Sequence, residues 1–158
     1  LFDVVNGDHR DAAVRPNQIF AVSLHHPMLD PVIARKVVEK VEAELLTPVG
    51  LRSLSPKDPK YIGTYIGSPL QRDGAYHQGT VWGWLIGPFV EAYLKVHSKD
   101  PKAEKRVASI VDHFKVHLTK AMAGQVSEIF DGDPPHTPRG AAAQAWSVAE
   151  ILRIGRLI

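Results

Sequence analysis

From Thr80 to Val96 the chain is apolar on nearly every side, with Val81, Trp82, Trp84, Leu85, Ile86, Phe89, Val90, Tyr93 and Leu94 spread around the helical wheel. A helix of that kind has no face for water and has to be surrounded by other elements. Its expected neighbours are amphipathic. Asp30-Pro31 opens one, because the Asp carboxylate accepts from first-turn amides and Pro at the first helical position loses no hydrogen bond. Val32, Ile33, Val37, Val38, Val41, Leu45 and Leu46 then recur at helical spacing until Thr47-Pro48. Asp100-Pro101 repeats the start signal, and Val107, Ile110, Val111, Phe114, Leu118 and Met122 form a stripe opposite Lys102, Lys105, Lys115 and Lys120, with Gly124 as the stop. Shorter helices are expected from Pro16 through Leu24 and from Gly140 to Ile154, where Ala141, Ala142 and Ala143 favour helix. No alternating strand pattern extends beyond a few residues, so the expected fold class is all-α.

The connections are long. Thr47 to His77 is punctuated by Pro and Gly, far longer than an ordinary bundle loop, and its Tyr61, Tyr65 and Tyr76 argue for order. Ser127 to Arg139 holds Glu128, Asp131 and Asp133 on backbone stiffened by Pro134, Pro135 and Pro138. Long connections alternating with amphipathic and fully apolar helices fit a helical toroid whose loops at one end form an active site.

The chemistry sits in those connections. Asp73 to Trp84 packs carboxylate, phenol, imidazole, amide and indole side chains at the start of the buried helix. Sugar recognition uses this mixture, since C–H faces stack on aromatic planes while hydroxyls need directional donors and acceptors. Tyr76, His77, Gln78 and Trp82 are the candidates there; Trp84 is better read as core. In Ser127-Glu128-Ile129-Phe130-Asp131-Gly132-Asp133, a carboxylate beside apolar residues can be tuned as a general base, and glycoside hydrolysis needs two carboxyl groups. Asp133 reads as a turn residue. Arg15 and Asn17, before and within the first helix, either bond a substrate or brace the helix.

Composition removes other classes. The 158 residues are 44% hydrophobic and 23% charged, the balance of one globular domain. With no Cys, disulfide scaffolds, thiolate metal sites and cysteine nucleophiles are excluded. A net charge of +2, from 19 Lys and Arg against 17 Asp and Glu, leaves no cationic surplus for nucleic acid, and a neutral partner fits better. No apolar run is long enough to span a membrane. His113 and His117 sit four apart, but Phe114 stands where a zinc protease motif has Glu, so both read as surface histidines, and no metal site is expected. His25-His26 before Pro27 reads as a helix-end cap. Gly63 to Ser68 lacks the Lys of a phosphate loop, which argues against nucleotide binding.

Taken in order, Arg15-Pro16-Asn17-Gln18, Leu46 to Leu54, Asp73-Gly74-Ala75-Tyr76-His77-Gln78-Gly79-Thr80-Val81-Trp82, Glu128 to Asp133, Pro138-Arg139-Gly140 and Gln144-Ala145-Trp146-Ser147 resemble the C-terminal amylo-α-1,6-glucosidase domain of glycogen debranching enzymes, over about residues 15 to 155. The resemblance implies part of an (α/α)6 toroid and hydrolysis, with inversion, of the α-1,6-linked glucose at a branch point of an α-glucan, in a cytoplasmic setting and without a cofactor. It makes Glu128 the catalytic base and places Tyr76, His77, Gln78 and Trp82 around the glucose, with Arg15, Asn17 and Asp131 nearby. Gly83 and Ala141 replace the Pro and Cys frequent in relatives. The segment that carries the family's acidic partner has no counterpart here. A complete six-hairpin ring needs on the order of 350 to 450 residues. Residues 1–158, which begin Leu1-Phe2-Asp3 without Met, are therefore expected to be a C-terminal fragment of that domain, inactive alone, with an apolar face able to pair with a second copy. The rival expectation is a non-catalytic carbohydrate-binding or helical interaction module.

Overall fold

The computed structural model describes residues 1–26, 28–98, 100–121 and 123–157; Pro27 and Met122, invoked above, lie outside the described residues. The chain opens with a hairpin, β1 (Val4–Asn6) and β2 (His9–Asp11), followed by a 3-10 turn (Pro16–Ile19) running into α1 (Phe20–Ser23) and then by α2 (Pro31–Leu45). Next come β3 (Leu46–Thr47), β4 (Gly50–Arg52), α3 (Pro69–Ala75) and β5 (Val81–Trp82), and a second 3-10 turn (Gly83–Leu85) that leads into α4 (Ile86–Val96). The remainder is α5 (Ala103–His117), β6 (Ile129–Phe130), β7 (Pro138–Arg139) and α6 (Ala145–Ile154).

This corrects the expected fold class. The protein is mixed α/β rather than an all-α portion of an (α/α)6 toroid: β1 and β2 form one antiparallel sheet, and a second runs in the order β3-β4-β5-β6-β7, every neighbour antiparallel. Each strand of the larger sheet is two or three residues long, too short for alternation to register as a period. Two expected helices are trimmed. Val81-Trp82 is strand rather than the first turn of α4. Gly140 to Gln144 is not helical, because the Gln144 amide donates to the Val126 carbonyl at 2.9 Å and the Glu128 amide to the Ala141 carbonyl at 2.9 Å. Those bonds outweigh the helix preference of three alanines, which is worth only tenths of a kcal/mol each. Conversely, α3 lies inside the stretch read as loop; its signal was the capping box Ser68-Pro69-Leu70-Gln71, which closes in both directions.

The helix read as apolar all round is indeed at the centre. α4 packs against α1, α2, α5 and α6, and Ile86, Phe89 and Val90 are completely buried. α2 starts as its sequence dictates, with the Asp30 carboxylate accepting from the amides of Val32 at 2.9 Å and Ile33 at 3.0 Å. It turns Val37, Val38, Val41 and Leu45 inward. α5 is tied to it by Arg106 and Glu42 at 2.9 Å. No helix among the described residues is long and apolar enough to cross a membrane.

One carboxylate of α2 has a second task. Glu44 is buried and accepts from Ser55 Oγ at 2.7 Å, Lys40 Nζ at 2.8 Å and Lys57 Nζ at 3.1 Å, which pins the chain just beyond β4. The Lys40 and Ser55 bonds lead in holding its carboxyl down at about 2. A depressed carboxyl adds stability above its unfolded value and loses it as pH falls through the folded one, so this contribution fades from about 4.5 down to about 2. Glu44→Gln is expected to cost about 2 kcal/mol at neutral pH and to flatten the acid limb of stability over that window, measured by urea titrations at several pH values. Phe89→Ala is expected to cost about 3–5 kcal/mol in the same assay at pH 7.

Candidate functional site

The larger sheet assembles the site. Its register sets Leu51 opposite Trp82, Trp82 opposite Ile129, and Ile129 opposite Arg139. Trp82 thus sits in the middle strand, and Glu128 leaves the sheet next to it at the start of β6. Close strand contact depends on Gly50, whose φ of 137° suits glycine and where a Cβ would run into the Trp82 carbonyl. Tyr76 arrives from the other side, at the C-terminal end of α3.

Both oxygens of the Glu128 carboxylate are engaged. Oε1 accepts from the Tyr76 hydroxyl, and Oε2 from the Ala141 amide at 2.7 Å. Gly140, at φ 66°, lies against the carboxylate, where a Cβ would strike Oε2. Desolvation first, and then the facing carboxylate, push the Tyr76 phenol far above its ordinary value of 10, so it stays protonated and donating. Around this pair, His77 stacks on Trp82 at 5.1 Å and 4°, and Tyr76 meets both rings edge-on at 4.9 Å. The Trp82 indole Nε1 is buried without a hydrogen-bond partner among the described residues.

A cavity of about 570 Å³ opens here, and it brings together Arg15, Asn17, Tyr76, His77, Trp82 and Glu128. Gln78 and Asp131 do not line it. The Gln78 Oε1 accepts from Arg15 Nη2 at 2.9 Å, while Arg15 Nη1 reaches the carbonyls of Ser53 at 3.1 Å and His77 at 2.6 Å. Arg15 therefore ties its own segment to Ser53 and to His77-Gln78. Asn17 donates to Asp3 Oδ1 at 3.0 Å. Asp131 is only 5% exposed, pairs with Arg139 at 2.9 Å and accepts from the Tyr65 amide at 2.8 Å. Tyr65 in turn packs on Tyr76 at 5.7 Å. Asp133 accepts from the Tyr61 hydroxyl at 2.9 Å, which joins the two long connections.

Among the further residues that line the cavity are Phe20, Trp84, Gln144 and Trp146. Trp84, read as core, is half-buried against the cavity. Gln144 and Trp146 carried a signal in the Gln144-Ala145-Trp146-Ser147 motif, but no spacing rule assigned them a role. His117 also departs from its reading as a surface residue: it is buried, accepts from the Ser127 amide at 3.3 Å and meets Phe130 edge-on at 4.8 Å. Burial lowers its pKa. A larger cavity, about 710 Å³, lies between α1, α2 and the end of α4, but its lysine is spent on the carbonyls of Ser23 and Leu24 and neither indole nor phenol lines it. Among the described residues, no group of three or more histidines and carboxylates converges on a metal position.

The chain matches the amylo-alpha-1,6-glucosidase family over residues 1–153 and belongs to it. It is similar to the glycogen debranching enzyme of Saccharomyces cerevisiae, 29% identical over 164 residues, a match that covers 91% of this chain and 11% of that relative. The chain thus spans about a tenth of the relative's length.

Asp131 holds β6, β7 and Tyr65 together, so Asp131→Ala, which leaves Arg139 unpaired, is expected to cost about 3 kcal/mol in chemical denaturation at pH 7.

Proposed function

We propose that this chain supplies the general base and part of the glucose pocket of a glycosidase that hydrolyses the α-1,6-glucosidic branch linkages of an α-glucan by an inverting acid/base step. One observation carries the reading: Glu128, held by Tyr76 and Ala141, projects into a pocket walled by indole, imidazole and phenol. In this mechanism the Glu128 carboxylate accepts a proton from water as the water attacks the anomeric carbon. The two donors keep it aimed and limit its freedom to rotate. His77, exposed and stacked on Trp82, offers an aromatic plane to the sugar's C–H face, and the edge of Trp82 completes that wall. Arg15 shapes the pocket by holding His77 and Gln78, Asn17 lies at its rim, and Asp131 acts at one remove through Tyr65 and Tyr76.

Glu128 is the one carboxylate among the described residues that line the cavity, whereas hydrolysis of this kind takes two. The general acid is accordingly placed outside these residues. In the polypeptide that contains this chain, Glu128→Gln is expected to lower kcat for glucose release from a branched dextrin by about a thousand-fold with KM little changed. Near-normal turnover would overturn the assignment.

The lone carboxylate also favours a second reading, a carbohydrate-binding module without turnover. Calorimetric titration with glucose and malto-oligosaccharides separates the two: binding in a full-length protein that releases no glucose supports the module.

A further inference from the structure

We infer that Trp146, Trp84 and Phe20 form a stacking track for the sugar unit adjacent to the one at Glu128, so that the site binds a linked pair of glucose residues better than glucose alone. This rests on the reading of the Glu128 pocket as a glucose site, and it adds residues that reading does not use.

The aromatic rings form a connected sequence that starts at the carboxylate's phenol partner. Tyr76 bonds Glu128, Trp82 meets Tyr76 at 4.9 Å, Trp146 lies 6.5 Å from Trp82, Trp84 5.5 Å from Trp146, and Phe20 5.9 Å from Trp84. Near the carboxylate, Tyr76 meets Trp82 edge-on at 68°, whereas the outer three rings incline by 30° and 32°, and all three line the cavity. Trp146 is 49% exposed, and the cavity gives it and Trp84 a common wall.

The track is held in place by packing. Trp84 belongs to the 3-10 turn that begins at Gly83, where a Cβ would press on Val126 at 3.3 Å and Ser147 at 3.5 Å. That fit seats the turn directly against the first turn of α6, which carries Trp146. The start of α6 is fixed in turn by the bond from the Gln144 amide to Val126. Rings fixed by their backbones lose little freedom when a ligand covers them.

Arg15 and Glu128 are the charged residues of the cavity, and Trp84, Trp146 and Phe20 have apolar and amide neighbours as well. Beside the three rings the cavity offers Leu85 and the side-chain amides of Gln144 and Asn17. Apolar planes edged by amides suit a ligand with C–H faces and hydroxyl margins, and a second sugar continuous with the first has both.

The chain holds three tryptophans, so its indole N–H spectrum has three signals to follow by NMR. Titration with glucose is expected to shift the Trp82 signal alone, and isomaltose, two glucose units joined by an α-1,6 bond, is expected to shift those of Trp84 and Trp146 as well. Trp146→Ala should weaken isomaltose binding about five-fold and leave glucose binding unchanged, while Trp146→Phe, which keeps an aromatic face, retains most of the affinity. If isomaltose moves Trp82 but neither outer indole, or if Trp146→Ala binds both sugars normally, the track is wrong and the pocket stands. Equal shifts of Trp146 with glucose would also overturn it. If no indole responds to either sugar, the pocket reading falls together with the inference.

Discussion

Two backbone pairings, Val81 with Phe130 and Trp82 with Ile129, hold the candidate site together. They join segments far apart in the chain and set the middle of the aromatic cluster beside the carboxylate that follows Ser127. Neither strand could persist alone, since two residues of ladder give too few bonds to offset their own ordering. The pairings last because β4 and β7 extend the ladder on either side and because Leu51, Val81, Ile129 and Phe130 are completely buried beneath it. The site is thus built on tertiary packing, and the carboxylate's position follows from the core.

The readable parts of the sequence were those with local causes. Asp30-Pro31 announces α2 through a side-chain cap, and the apolar ring of residues from Ile86 to Val96 announces a buried helix; both are properties of a few adjacent residues. The sheet was illegible because its strands are too short to show a period and its partners are remote. Helix propensity also misled at Ala141 to Ala143, where the Ala141 amide and carbonyl are both committed to Glu128. The site shows the same division. Glu128, Tyr76, His77 and Trp82 are concentrated in two short motifs of mixed chemistry, whereas Trp146 and Gln144 come to the cavity only through the packing of α6 on the Gly83 turn. The resemblance places Asp131 near the substrate together with Glu128, and β6 sends the two to different partners: Glu128 to the cavity and Asp131 to Arg139.

The polar groups around the site fall into two kinds. Glu128 and the Gln144 amide line the cavity, where they can meet a ligand, and others are already satisfied by protein. Asp131, Gln78 and the guanidinium of Arg15 spend their hydrogen bonds on the frame. Such spending fixes geometry in advance, which is what a site needs if binding energy is to go into recognition rather than into ordering the protein.

Arg15 and Glu44 brace the same stretch of chain from opposite sides, Arg15 through the Ser53 carbonyl and Glu44 through Ser55 and Lys57. Their sensitivities differ. A guanidinium keeps its proton at every pH a protein meets, and although Asp3 lies 3.6 Å from Arg15 Nε, the guanidinium's hydrogen-bond partners at Ser53, His77 and Gln78 are neutral oxygens, whereas the Glu44 clasp depends on a charge that acid removes. Acidification therefore releases the outer belt of the long connection first, while the inner clasp at the rim of the pocket still holds.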